Sequence, residues 1–543
     1  MPRYGALSAV IFVVAVSAIV GGVYGRSALA TQDRLSEPYR VFTAALAAIE
    51  SHYVEEVDSE RLVYGAVNGV VQTLDPHSSF MDPRTYAQLR ERQEGRYYGL
   101  GITITVVDGD ITVVSLFEGS PAYRKGIRRG DIIARIEGES AKGWTSDQAV
   151  RKLRGPRGST VRISVQRQGY ADLIDLEVER DEIEIPTILG AFMIDGSTGY
   201  VRLRDFSDTT DRDLHRALQK LSSQGMQRLL LDLRGNPGGP LDQAIRVSNR
   251  FLQQGDMVVY TRGRVPNSDQ DYRATEESEF SNLLLVVLVN RNSASASEIV
   301  AGAIQDHDRG LIVGETTFGK ALVQSIYRVS HGAGVALTTA RYYTPSGRLI
   351  QRPWDGTFDE YLSYTLREQG PETTPSSDAQ LKYTDAGRKV FGGGGIQPDH
   401  FRAGPIEGFN PSRLGRRLYA RQLFASYAEK FSASDDPQLG VEMAGRVILE
   451  RNFPVDTAVV EDFKAFVRAE GLEFEEAAFA EDETFIRAMV RYDIDLALFG
   501  VEEARHRLIG EDPQAQFALG LFAEAEKLTQ TARLNPSPPA SRN

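Results

Sequence analysis

The run Asn290-Arg-Asn-Ser-Ala-Ser-Ala-Ser-Glu298 follows the apolar stretch Leu283–Val289. A short apolar run bounded by polar residues reads as a buried strand. The next segment, Ala296 to Ile304, places apolar residues at Ile299, Val300, Ala303 and Ile304 with helical spacing. The serines therefore stand where a strand turns into a helix. There the unsatisfied N–H groups and the positive end of the helix dipole favour negative charge. Such a place suits a hydroxyl nucleophile and the oxyanion that its attack creates. The same run also serves as a plain helix cap with tight packing, and nothing inside it separates the two uses.

Lys320, downstream in Gly314-Glu-Thr-Thr-Phe-Gly-Lys320, favours the first use. A lysine's ordinary pKa is about 10.4, so at neutral pH it is charged and accepts no proton. Burial in apolar, glycine-rich surroundings lowers that value and leaves a neutral amine that deprotonates a serine without a histidine. His307 and His331 have no recognisable acid-and-turn arrangement beside them, and His77 sits in an Asp-Pro turn where a structural role is expected. Gly314–Lys320 has the spacing of a phosphate loop, but Ala321 replaces the magnesium-binding hydroxyl. Such a loop must also open a helix, whereas Leu322–Val329 alternates like a strand. No His-Glu-x-x-His or similar ligand spacing supports a metallopeptidase.

The elements that must position these residues alternate. Gly199–Leu203 reads as a strand, Asp211–Ser222 as a helix and Leu229–Leu233 as a short buried strand. Asp232-Leu-Arg-Gly-Asn-Pro-Gly-Gly239 follows, then a helix over Leu241–Leu252 and a strand over Leu311–Val313. This order indicates an α/β layer with parallel strands, whose site lies at the strands' carboxyl ends. Gly235–Gly239 and Ser293–Ser297 both fall at such ends and so can meet.

The chain has 543 residues, too many for one core. With 41% hydrophobic and 25% charged residues it is ordinary globular protein. Its net charge of −12 argues against nucleic acid as a partner. The absence of cysteine excludes disulfides, thiolate metal sites and a cysteine nucleophile. Arg3 precedes the uncharged stretch Ala6–Val23, and Ala28-Leu29-Ala30 supplies a small-x-small cleavage pattern. Residues 1–30 thus read as a signal peptide or a membrane anchor. Export to the periplasm or cell envelope is expected, with release and inner-membrane anchoring both open. Residues 31–85 read as a helical region, with periodic segments at Val41–Ile49 and Leu62–Leu74 that end at Asp75–Pro83.

Residues 86–180 carry strand patterns at Ile102–Val107, Ile111–Leu116, Ile132–Ile136 and Thr160–Gln166, with a helix over Trp144–Leu153. Together with Gly119–Asp131, this order resembles a PDZ domain, a partly open β-barrel with helices. The resemblance makes Gly99-Leu100-Gly101-Ile102 the carboxylate loop. Its glycines let successive N–H groups converge on a peptide's terminal carboxylate, and the peptide pairs along the sheet edge.

Asp232–Gly239, Ser293–Glu298 and Gly314–Gln324, with Leu74-Asp-Pro-His-Ser-Ser-Phe80 and the PDZ pattern in this order, resemble the carboxyl-terminal processing (tail-specific) proteases. The resemblance spans about residues 40–400 and implies a ClpP/crotonase-like α/β protease core over 181–404, with the PDZ domain inserted ahead of it. It makes Ser295 the nucleophile, in preference to its neighbours Ser293 and Ser297. It makes Lys320 the general base and Gln324 the residue that orients the lysine amine. The oxyanion donors become the N–H groups of Ala296 and of Gly238 or Gly239, while Glu298 is left as a structural acid in the first helical turn. Arg154, in Leu153-Arg-Gly-Pro-Arg-Gly158, becomes the arginine through which a PDZ reports tail binding to the protease core. The implied activity is cofactor-free serine endopeptidase action near the C-termini of envelope proteins. The implied partners are protein substrates with accessible C-terminal tails. A non-catalytic PDZ scaffold is the rival reading.

Residues 405–543 read as a helical extension with segments at 412–431, 438–451, 457–469, 484–498 and 513–529. A proline- and serine-rich tail at 536–541 is disordered by composition. An extension of this kind packs on its neighbour or on a second subunit, which leaves room for a homodimer and for an adaptor protein.

Overall fold

The computed structural model describes residues 37–117, 119–167, 169–354, 361, 380–402, 412–432 and 453–534. The expected signal or anchor segment, the whole helix expected at 438–451 and the 536–541 tail lie outside these residues. Among the described residues no helix is long and apolar enough to cross a membrane.

The chain divides into two compact units. The first comprises residues 1–82 and 328–336. Its described part contains a helix over 37–52 (α1), a second over Ser59–Gln72 (α2) and a strand over Ser79–Met81 (β1). β1 pairs antiparallel with residues 334–336. The Asp75 carboxylate accepts the N–H groups of His77 at 2.8 Å and Ser78 at 2.7 Å, so His77 stands in an Asx turn that stops α2 ahead of β1.

The second unit comprises 83–327 and 337–543. It opens with α3 (Pro83–Glu94) and β2 (Arg96–Gly99). A sheet follows from β3 (Ile102–Val107), β4 (Asp110–Leu116), β5 (Ile132–Ile136), β6 (Glu139–Ser140), β7 (Thr160–Gln166) and β8 (Ile174–Glu179), ordered β3-β4-β5-β7-β8 with β6 on β5. The helices α4 (Pro121–Arg124) and α5 (Ser146–Leu153) accompany it. Ile111, Val113, Ile133, Val161, Ile163 and Val165 point inward to one core with Leu100 and Leu153. β9 (Asp181–Glu184) then returns to pair with β2.

The third layer is built on β10 (Ile188–Met193), β11 (Thr198–Leu203), β12 (Arg228–Asp232), β15 (Leu284–Val289), β16 (Leu311–Gly314) and β21 (His400–Phe401), side by side in that order. β10 is antiparallel to β11, and every later neighbour is parallel. Between these strands run α6 (Thr210–Ser223), α7 (Leu241–Asn249) and α8 (Ala296–Asp306). Their apolar faces meet Val201, Leu203, Leu229, Leu231, Leu285, Val287 and Val289. A second sheet includes β13 (Met257–Arg262), β14 (Gln270–Arg273), β17 (Leu322–Arg328) and β18 (Gly334–Tyr343), while β19 (Leu381–Tyr383) and β20 (Lys389–Phe391) make a hairpin.

The strands β12, β15 and β16 are apolar along their middles because both of their faces are buried. Tyr200, Leu230, Val286, Leu288, Leu311 and Val313 face away from α6–α8. They are covered by the last three of the C-terminal helices, which are α9 (Arg413–Ala420), α10 (Leu423–Ser432), α11 (Thr457–Ala469), α12 (Glu476–Glu481), α13 (Glu483–Phe499), α14 (Val501–Glu511), α15 (Pro513–Leu519) and α16 (Phe522–Leu534). Ile509, Ala515, Ala518, Phe522 and Ala525 supply the contact, whereas α9–α13 carry their own core around Phe424, Phe463 and Ile486. Phe522 is buried against the sheet, so Phe522→Ala should cost about 3–5 kcal/mol in urea unfolding. A loss under about 1 kcal/mol would mean that the helices do not complete the sheet.

Candidate active site

Ser295 is the residue before α8, at φ 54° and ψ −112°. A non-glycine residue there carries about 1–3 kcal/mol of strain and needs outside support. Much of that support comes from Glu298, which is wholly buried. Its Oε2 accepts the N–H of Ser295 at 2.8 Å and that of Lys320 at 2.9 Å. Its Oε1 accepts the Thr317 hydroxyl at 2.6 Å and the Gly319 N–H at 2.7 Å. Because one oxygen holds the amides of both Ser295 and Lys320, those nitrogens lie no further apart than the two bonds laid end to end. Tyr342 ties the same two residues from the other side, its hydroxyl donating to the Lys320 carbonyl at 2.6 Å and to the Ser295 carbonyl at 3.2 Å. Burial holds that phenol well above its ordinary pKa, which keeps it a donor.

The three serines of the run have separate environments. Ser293 is fully buried, and its hydroxyl donates to the Leu233 carbonyl at 2.8 Å while accepting the Asn290 N–H at 2.9 Å. Ser297 is also fully buried and donates to the Asn236 carbonyl at 3.0 Å. Both hydroxyls serve to hold strand ends and turns together. Ser295 is only partly buried.

Lys320 and Gln324 are both half-buried, and the lysine Nζ donates to Gln324 Oε1 at 3.0 Å. Gln324 lies on β17, so this stretch is a strand and not the helix that a phosphate loop requires.

The turn after β12 sits directly against Ser295. A Cβ on Gly238, whose φ is +94°, would stand 2.8 Å from both Ser295 Cβ and the Ala296 nitrogen. One on Gly239 would strike the Phe206 carbonyl at 2.2 Å. Only glycine permits this approach. The Gly238 N–H is occupied by Asn236 Oδ1 at 2.9 Å. Among the described residues, no hydrogen bond occupies the N–H of Gly239 or of Ala296. Asn236 also places its carbonyl at the Ala294 N–H, 3.0 Å away, and its side-chain nitrogen at the Leu203 carbonyl, 3.1 Å away.

The Gly99–Ile102 loop joins β2 to β3, with the Leu100 carbonyl on the Ala122 N–H and the Gly101 carbonyl on the Phe117 N–H. β3 is the last strand of its sheet and has an open edge beside α5. Arg154 follows α5, forms an ion pair with Glu91 on α3 and lies 4.5 Å over the Tyr97 ring. His307 is held between Asp385 and the Met257 carbonyl, both at 2.7 Å. His331 belongs to the separate first unit. His307 is not brought to Ser295 by a contact among the described residues.

Glu298, Asn236 and Tyr342 exceed what the sequence reading expected of them. Glu298 stood in the serine motif itself, and Asn236 in the Gly-Asn-Pro-Gly-Gly turn. Tyr342 lies in a plain strand, and no local pattern points to it.

Comparisons with known proteins identify the family and the domains. The model for peptidase family S41 matches residues 197–357, that for a PDZ domain 88–166, and that for the activating protease CtpB N-terminal domain 25–85. A carboxy-terminal-processing protease of Bartonella bacilliformis is 39% identical over 307 residues, which cover 56% of this chain and 70% of that protein. The carboxy-terminal processing protease CtpA of Bacillus subtilis is 34% identical over 350 residues, 63% of this chain and 74% of its own. A solved photosystem II D1 C-terminal processing protease is 31% identical and covers 56% of this chain and 88% of its own, with a TM-score of 0.32, too low to bear on the fold. Motifs and relatives together define a serine-type peptidase that carries a PDZ domain. More particularly, the chain belongs to family S41, among the carboxy-terminal processing proteases.

Burial raises the Glu298 carboxyl to about 7, against the hydrogen bonds from Thr317, Lys320, Gly319 and Ser295 that favour the anion. The ionised form accepts all four donors, whereas protonation puts a hydrogen on one of the two oxygens. The pattern of bonds to Ser295 and Lys320 thus changes as pH falls through about 7. Because the value is raised, the group's contribution to stability is lost as pH rises through about 7. Glu298→Gln should therefore lower kcat by about tenfold or more and remove an inflection near pH 7 from the rate profile. Wild-type kcat in the variant would refute this role.

Proposed function

We propose that the chain is an exported serine endopeptidase that cleaves envelope proteins near their C-termini through Ser295 and Lys320. The observation that carries this reading is the shared Glu298 carboxylate, which binds the amides of both residues. A neutral Lys320 takes the Ser295 proton as the hydroxyl attacks the scissile carbonyl, and returns it to the leaving amine. Water, activated by the same lysine, then hydrolyses the acyl-enzyme. Gln324 accepts one hydrogen from the lysine amine and so helps aim its lone pair. Of the two candidate glycines, Gly239 is the better oxyanion donor with Ala296, because the Gly238 N–H is already committed to Asn236. The parallel sheet is compatible with a ClpP/crotonase-like core.

The PDZ domain receives the substrate's tail. Its terminal carboxylate is placed at Gly99-Leu100-Gly101-Ile102 and its strand along the β3 edge. Peptide-bond hydrolysis by this pair needs no cofactor. An anchor at residues 6–23, an adaptor and a homodimer are compatible with this reading.

Ser295→Ala and Lys320→Ala should each lower cleavage of a peptide with an apolar tail by about 10⁴-fold or more, and Gln324→Ala by less. Cleavage at wild-type rates in the first two would exclude the mechanism. A purified wild-type protein that binds tails but cleaves none of a broad peptide set would favour a PDZ scaffold.

We assign Arg154 to report tail binding; its ion pair with Glu91, which links the end of α5 to α3, supports that role. Arg154→Ala should bind a fluorescent tail peptide as tightly as the wild type while losing tail-dependent stimulation of cleavage. Stimulation left intact would remove the role.

A further inference from the structure

The turn that brings Gly238 and Gly239 against Ser295 begins at Asp232 and Arg234, and Arg234 is held from behind. Its side chain is 4% exposed. It binds Asp232 Oδ2 at 2.6 Å, Asp512 Oδ2 at 2.7 Å and Gln514 Oε1 at 2.9 Å. Asp512 and Gln514 stand at the start of α15, well beyond residue 357, where the S41 match ends.

Charge balance makes Asp512 more than a bystander. Asp232 faces two arginines, Arg234 and Arg202, the second at 3.9 Å. Asp232 and Asp512 together neutralise that pair. Removing the Asp512 charge leaves two guanidinium groups against one buried carboxylate, an imbalance that a low-dielectric interior penalises. The anchor is itself fixed in place. Asp512 Oδ1 accepts the N–H groups of Gln514 at 3.0 Å and Ala515 at 3.1 Å. The Gln514 side-chain nitrogen donates to the Arg402 carbonyl at 2.7 Å.

From Arg234 the chain needs only two residues to reach Asn236, whose side chain sets the Gly238 peptide. The Gly239 peptide follows directly. A shift of Arg234 therefore becomes a shift of the oxyanion turn relative to Ser295.

We propose that Asp512, with Gln514, is a positioning group for the oxyanion turn, acting through Arg234, so that the C-terminal helices form part of the catalytic apparatus. This rests on the reading that Gly239 and Ala296 stabilise the oxyanion formed by Ser295.

The test uses the full chain and a tailed peptide substrate. Asp512→Asn should lower kcat by about ten- to a hundredfold, because misplacing a catalytic group by about 1 Å costs up to about 10²-fold. KM should stay within about twofold, and affinity for a peptide aldehyde, which forms a tetrahedral adduct, should fall in parallel with kcat. Phe522→Leu, an apolar lesion in the same helices, should lower Tm while keeping kcat below its melting range. The double variant Arg234→Met, Asp512→Asn should be no slower than Arg234→Met alone.

A wild-type kcat in Asp512→Asn would overturn the proposal, as would an equal kcat loss in Phe522→Leu at matched Tm. If Asp512→Asn does not fold, Gln514→Met carries the test, with kcat down about threefold at constant KM for the loss of one hydrogen bond to the guanidinium. An unchanged kcat there would equally overturn it. Ser295→Ala in the same series separates the two levels. If it cleaves normally, the Ser295 reading falls and the inference falls with it. If it is inactive while Asp512→Asn behaves as wild type, only the inference falls.

Discussion

A single buried carboxylate organises this enzyme's centre. Glu298 reaches back from the first turn of α8 to its own N-cap and across to the loop that carries Lys320. Four donors converge on its two oxygens. These bonds hold Ser295 in a conformation that costs about 1–3 kcal/mol. The strained turn and the lysine loop thus cannot drift independently. Tyr342 closes the arrangement by bridging the carbonyls of the same two residues.

The sheet behind this centre is buried from both sides, and its residues alternate accordingly. Leu229 and Leu231 meet the crossover helices, while Leu230 meets the C-terminal ones. Strand ends on such a sheet are fixed in depth and direction, which lets the Gly238–Gly239 turn approach Ser295 without room for a side chain. The C-terminal helices also contact the PDZ domain, where Arg129 meets Asp493 on α13 at 3.0 Å. They thus touch both the PDZ domain and the turn beside Ser295.

Much of this could be read from the residues. The runs at Ile102–Val107, Ile132–Ile136 and Thr160–Gln166 fold as strands with those same bounds, because alternation and β-branching act locally. The serines fall between β15 and α8 for the same reason. What could not be read depends on non-local meetings. Ser293, Ser295 and Ser297 are chemically identical in sequence, and only burial and the carbonyls that reach Ser293 and Ser297 tell them apart. Glu298 looked like a first-turn acid because its partners at Thr317, Gly319 and Lys320 come from another loop. The extension's role as the second cover of the sheet was equally hidden, since a helix's apolar face does not name what it covers.

The most direct measurement is mass spectrometry of the acyl-enzyme. The protein would be mixed with a tailed peptide ester, quenched in acid within a turnover and digested. The account predicts the acyl mass on the peptide containing Ser295, assigned by fragmentation to that residue, and absent when Lys320 is alanine. Acylation of Ser293 or Ser297, or an unchanged yield without Lys320, would contradict it.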